Sequence, residues 1–412
     1  MAALLAFLVQ TLLARQMSAA DYGRFSAGLS LVTIMAPMAC FGIGSFWLRV
    51  FGQEGWGAYR WIRNSLVYVL FSALFVMIAL AAWAHWGPHD ARTEMVILAL
   101  SVFVLSQILM ELVGVVFQLE ENYNYFSFWQ FSPHLARLSL LVIFLFFPLF
   151  DAYLLSALTA YFMVSVVVVL VGIAILNARL SGNLQLKGHG PSPESSTTTE
   201  RAGLGDVVRS SLPFGIAGFF YLVYVQMNTV LVKYWGNDEQ AAYYNVAFLV
   251  ITAFLLLPNM AFEKVLIPKM HRWYYQDRPM LHSVLKKSAL LFAALGFVSV
   301  AVIWFAADFI AAFFFHESPE KLAETLQIVK WTIPLRSLSL CFGSVLFIGG
   351  HINLRLKLLS AVILVNVGFC YVLIPQSGAS GAALSMILAD ACMCLLFFGA
   401  MLRALKTREG KL

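Results

Sequence analysis

Eleven apolar runs of twenty or more residues decide what this chain can become. They lie at approximately 22–48, 62–85, 93–118, 128–150, 152–177, 212–233, 241–267, 288–314, 322–349, 356–375 and 378–402. Each is long enough to cross a hydrocarbon core of about 30 Å. The backbone must satisfy its own hydrogen bonds there, which a helix does. The first run, Ala2 to Ala14, is shorter and covers only about 20 Å at 1.5 Å per residue. It lacks the basic n-region of a signal peptide, since Arg15 follows it instead of preceding it. It is read as a first helix whose start is missing. The expected fold is an all-α polytopic membrane protein of about 12 transmembrane helices in two six-helix halves. Residues 1–177 form the first half, 178–209 a cytoplasmic linker and 210–412 the second.

The halves echo each other. Tyr22, Pro37 and Phe41 recur as Tyr243, Pro258 and Phe262, each 221 positions later, and Pro148 recurs as Pro375 after a longer gap. Paired sets of membrane helices are the usual build of a transporter with its site between the repeats. Composition agrees: 61% of residues are hydrophobic and only 12% charged, about half the charge of a soluble domain. The five cysteines all fall in apolar runs, and Cys392 and Cys394 lack a zinc or redox spacing. They read as packing residues.

The net charge of +6 raises the question of nucleic acid. Its distribution answers that. With the linker placed in the cytoplasm, that side holds 19 lysines and arginines against 5 outside, and Arg137, Lys330 and Arg336 lie within spans. Such a bias orients the protein with both termini inside and makes the basic residues anchors near anionic lipid. No nucleic-acid partner is expected. The linker from Gly190 to Glu200 has the composition of a tether.

Several enzyme classes drop out. There is no G-x-x-x-x-G-K-[ST] loop for ATP, no H-E-x-x-H and no D-x-D pair for a nucleotide-sugar metal. The outer loops are too short to shape a catalytic site. No cofactor or metal is expected.

Polar residues inside spans are costly and tend to face the bundle interior. Gln130, His134 and Arg137 fall at i, i+4 and i+7, one face of a helix. Gln107 and Glu111 share a face, as do Tyr221, Tyr224 and Asn228. Lys330 and Arg336 flank Pro334, and Asp390 lies near the centre of the last span. Each has a bland reading, such as local pairing for Glu111 or snorkelling for Lys330. The Gln130–His134–Arg137 stripe points more strongly to a wet cavity. The aromatics from Tyr123 to Phe131 fit an interfacial belt better than a sugar platform. Pro37, Pro258 and Pro334 are hinge candidates, because proline frees a backbone carbonyl and bends a helix.

At this point the residues resemble a known family. The stretch from Asn366 to Ser385, with Leu373-Ile374-Pro375 and Gly378-Ala-Ser-Gly381-Ala-Ala, looks like the eleventh-to-twelfth helix signature of polysaccharide flippases. Leu13 through Gly23 resembles their first outer loop, and Leu212-Pro213-Phe214 the start of their second half. The family is the Wzx-like branch of the multidrug/oligosaccharidyl-lipid/polysaccharide exporter (MOP) superfamily, whose fold is MATE-like. The resemblance covers essentially the whole chain. It implies movement of an undecaprenyl-pyrophosphate-linked oligosaccharide across the cytoplasmic membrane. It also implies glycosyltransferases and a polysaccharide polymerase as partners. One departure concerns the seventh helix, where many relatives are acidic and this chain has Asn228.

The physics suits that substrate. A central cavity lined by Arg137, Arg336, His134, Gln130, Lys330 and Asn228 would take the pyrophosphate and glycan, while the lipid tail stays in the membrane. Asp390 and Glu111 are the candidates for coupling to an ion. The rivals are a cation-coupled drug exporter of the same superfamily and a non-transporting scaffold of a glycan assembly complex.

Overall fold

The computed structural model describes residues 2–190, 202–262, 266–316, 318–348 and 351–406. Most of the expected tether, residues 191–200, lies outside them. Every regular element among the described residues is a helix: α1 (Ala2–Gln16), α2 (Ala19–Cys40), α3 (Ile43–Glu54), α4 (Tyr59–Trp86), α5 (Ala91–Leu119), α6 (Tyr123–Phe146), α7 (Tyr153–Ala178), α8 (Leu204–Trp235), α9 (Asp238–Ala261), α10 (Ile267–Gln276), α11 (Arg278–Phe314), α12 (Pro319–Val329), α13 (Thr332–Ile348) and α14 (Ile352–Lys406). Eight helical stretches are long and apolar enough to cross a membrane. Two of these, Ala19–Trp86 and Asn353–Leu405, each hold two crossings, and α1 and the α12–α13 pair supply the rest of the expected set.

The repeat is visible in the helices. α2 ends three residues after Pro37 and α9 three residues after Pro258. Each is followed by a short helix, α3 or α10, and then by a long apolar one, α4 or α11. Hydropathy alone had run 22–48 and 241–267 as single spans. The structure breaks the first at Phe41 and Gly42, whose φ values are 38° and 78°. A positive φ on phenylalanine is uncommon and costly, so packing must hold it there.

The chain forms two compact units. The first comprises Met1–Met17 and Arg24–Met227, the second Ser18–Gly23 and Asn228–Leu412. In the first unit α5 is the central helix, with 61% of its apolar window buried. It packs against α4, α6 and α7. Asp90 starts it, its side chain accepting from the Thr93 backbone N–H at 3.0 Å. By contrast α4 exposes Leu70, Phe71, Leu74, Phe75 and Ile78. That spacing puts them on one helix face, and its apolar character suits lipid. In the second unit α13 packs between α11 and α14. Their core joins Phe262, Phe292, Cys341, Val345 and Met401.

α14 is two helices meeting at Gly378, whose φ of 55° and ψ of −126° are open essentially to glycine alone. Gln240 of α9 caps the turn, accepting from the Ala379 backbone N–H at 2.9 Å. The limbs then approach so closely that a Cβ on Gly381 would stand 2.2 Å from the Leu373 carbonyl oxygen. Backbone cannot swing aside as a side chain can. Gly381→Ala is therefore expected to cost about 1–3 kcal/mol, read as a lower unfolding temperature in detergent. An unchanged melt would mean that the turn relaxes without strain.

Candidate functional site

In the first unit, α6 carries Gln130, His134 and Arg137 on one face, beside Pro133 within the helix. Gln130 and His134 are half-buried, and Arg137 is only 3% exposed. Its guanidinium lies 4.9 Å from the Phe103 ring centroid of α5 and 4.8 Å from that of Tyr161 of α7. Both rings offer π faces to the cation, worth about 2 kcal/mol each when desolvated. No carboxylate among the described residues bridges to Arg137, and its Nε has no hydrogen-bond partner. The result is a buried guanidinium held by two aromatic rings, with donors to spare.

Glu111 lies in the same unit. Its carboxylate lies against the Gly44 backbone and the Cys40 thiol. It therefore sits at the start of α3, where the helix dipole is positive, and bridges to no base among the described residues. The fit is tight: a Cβ on Gly44 would stand 2.4 Å from Glu111 Oε1. Pro37 lies three residues before the end of α2, at the break that Glu111 faces.

The second unit holds a chain of buried polar groups. Asn366 Nδ2 donates to Asn228 Oδ1 at 2.6 Å, and both amides are buried. Met386 lies next: Asn228 Nδ2 is 3.7 Å and Arg336 Nη2 3.4 Å from its sulfur. Arg336 Nε then donates to Asp390 Oδ2 at 3.1 Å, and the carboxylate is completely buried. The guanidinium also lies 5.0 Å from the Phe248 ring centroid. Helices α8, α13 and both limbs of α14 thus meet through polar side chains.

Lys330 does not snorkel. It is 1% exposed, its Nζ donates to Gln327 Oε1, and it lies 3.9 Å from the Trp304 ring centroid. Pro334 does not kink a continuous helix. α12 ends before Lys330, α13 begins at Thr332, and the Lys330 carbonyl accepts from the Ile333 N–H at 3.1 Å. Pro258 sits near the end of α9 as Pro37 does in α2.

Phe103, Tyr161, Met386 and the pairing of Asn366 with Asn228 escaped the sequence reading. Aromatic and amide partners come from other helices and leave no spacing signal. Pro133 was visible, sitting between Gln130 and Arg137.

A profile of polysaccharide biosynthesis proteins matches residues 1–273. The chain belongs to that family. Solved structures agree on the fold. The inward-facing conformation of a multidrug resistance MATE family transporter of the MOP superfamily superposes with a TM-score of 0.75 at 14% identity, over 99% of this chain and 96% of that one. A MOP superfamily transporter from Pyrococcus furiosus, whose binding pocket has a reverse polarity suggesting a different function, gives 0.62 at 13% identity, over 96% and 91%. No curated protein matches this chain. This family member is a multi-pass membrane protein with the MATE-like fold of MOP-superfamily transporters.

Proposed function

We propose that the protein flips an undecaprenyl-pyrophosphate-linked oligosaccharide across the cytoplasmic membrane for surface polysaccharide synthesis, with both termini inside. The observation that carries this is Arg137. A guanidinium stays charged in a protein, and burying a charge without a counter-charge is expensive. The two rings offset part of that cost and leave the N–H fork available. A pyrophosphate is the anion whose geometry suits the fork, through paired N–H···O contacts. Gln130 and His134 on the same face supply further donors and acceptors for the headgroup and glycan. Arg336, Lys330 and Asn228 offer a second polar set in the other unit. Without an ATP loop, the drive comes from an ion gradient or from removal of the product, and Asp390 and Glu111 are the coupling candidates.

The MATE likeness also admits a cation-coupled drug exporter. A buried cation with no counter-charge among the described residues disfavours that reading, because it repels cationic drugs. A scaffold would have no use for so costly a group. The deciding experiment uses proteoliposomes. Flipping of a fluorescent lipid-linked oligosaccharide is expected, with no uptake of a cationic dye. The reverse pattern would overturn the proposal. Imposed proton or sodium gradients then test coupling. If Asp390→Asn and Glu111→Gln both keep the wild-type gradient dependence, neither carboxylate is the coupling site.

A further inference from the structure

The start of α11 carries Arg278, His282 and Lys286 at i, i+4 and i+8, one face of the helix. None forms a salt bridge or side-chain hydrogen bond with a described residue. His282 and Lys286 border a groove of about 450 Å³ between α11, α13 and α14, floored by Leu285, Ala289, Phe342 and Met401. Arg278 and His282 border an adjoining recess beside Ala404 and Leu405. No acidic residue among the described ones lines either. The nearest carboxylate along the chain, Asp277, caps the helix by accepting from the Met280 N–H at 3.0 Å.

Length places this face at the membrane surface. α11 has 37 residues and is about 55 Å long, well beyond a hydrocarbon core of about 30 Å. Its apolar part, from Ala289 onward, exposes Leu290, Phe297 and Phe305 as lipid-facing groups do. The basic face therefore stands at headgroup depth, while the groove beneath it runs into the apolar layer. One ligand chemistry matches both features: a phosphate joined to a hydrocarbon chain.

We propose that this groove binds an anionic phospholipid. Its phosphate sits against Lys286, His282 and Arg278, and one acyl chain lies over Leu285, Ala289 and Phe342. Charge supplies the selectivity and the groove supplies the depth, as in basic pockets between transmembrane helices generally. A bound lipid there would tie α11, α13 and α14 together at the end of the unit.

Native mass spectrometry of the full chain, released from detergent micelles doped with one lipid at a time, tests this. Phosphatidylglycerol is expected to remain bound and phosphatidylcholine to be lost. Removing one basic group near the surface weakens binding about fivefold, so Arg278→Gln with Lys286→Gln should weaken it about 25-fold. Both residues reach the surface and their exchange leaves the core intact. Ala289→Trp fills the groove with every charge in place and should also lose the lipid. Lys287→Gln removes a neighbouring exposed charge that lines neither recess and should change binding by less than about twofold. Equal retention of phosphatidylcholine would overturn the proposal. So would full retention by Ala289→Trp, an equal loss in Lys287→Gln, or complete displacement by inorganic phosphate.

Discussion

Arg137→Ala is expected to cut flipping of a lipid-linked oligosaccharide in proteoliposomes by about a hundredfold, while membrane insertion persists. Taking one partner from a buried charge-assisted contact costs roughly 2–5 kcal/mol, and each 1.4 kcal/mol is a factor of ten. The free protein should not suffer equally. Arg137 has no bridging carboxylate among the described residues to abandon, and its loss relieves a buried charge while giving up two ring contacts. Arg137→Lys separates charge from geometry. It keeps the cation but loses the planar fork, so it should recover only a small part of the rate. If Arg137→Ala flips at the wild-type rate, the guanidinium is structural and the proposed anion contact is wrong.

Asp390→Asn is expected to destabilise the protein by about 3–5 kcal/mol, the usual cost of breaking a buried ion pair from one side. It takes the carboxylate from Arg336, whose side chain is only 13% exposed. Replacing both residues together, Arg336→Met with Asp390→Leu, should restore most of that stability, because two apolar groups leave no stranded charge. Unfolding in detergent measures the first effect and transport measures the second. If Asp390 couples transport to an ion, the double variant melts near the wild type but no longer responds to a gradient. A double variant that transports with the wild-type gradient response would reduce the pair to a structural tie.

Hydropathy revealed the membrane class and the crossings, because a span announces itself by composition alone. It missed the breaks at Phe41–Gly42 and Lys330–Trp331, since an apolar run does not record a reversal of φ or a turn inside it. The turn between the spans 356–375 and 378–402 was legible, but the positive φ that Gly378 adopts there was not. Within the site, the Gln130–His134–Arg137 stripe could be read because one helix sets its spacing. The Arg336–Asp390 pair could not, its partners being 54 positions apart. Neither could the contact of Arg137 with the Phe103 and Tyr161 rings, which three separate helices assemble. Arg278 and Lys286 were in plain view, but lysine and arginine counts absorbed them into orientation and passed over His282 between them.

The order of synthesis gives the Arg336–Asp390 pair a further role. Arg336 leaves the ribosome on α13 well before Asp390 arrives on the last limb of α14. Until then the nascent chain holds in the membrane an arginine whose eventual carboxylate is still unmade, a state that costs about 2.5–3.5 kcal/mol at mid-bilayer. The final hairpin, turning at Gly378, delivers the missing charge. A pair so far apart in sequence thus closes only once the second limb of α14 has been made.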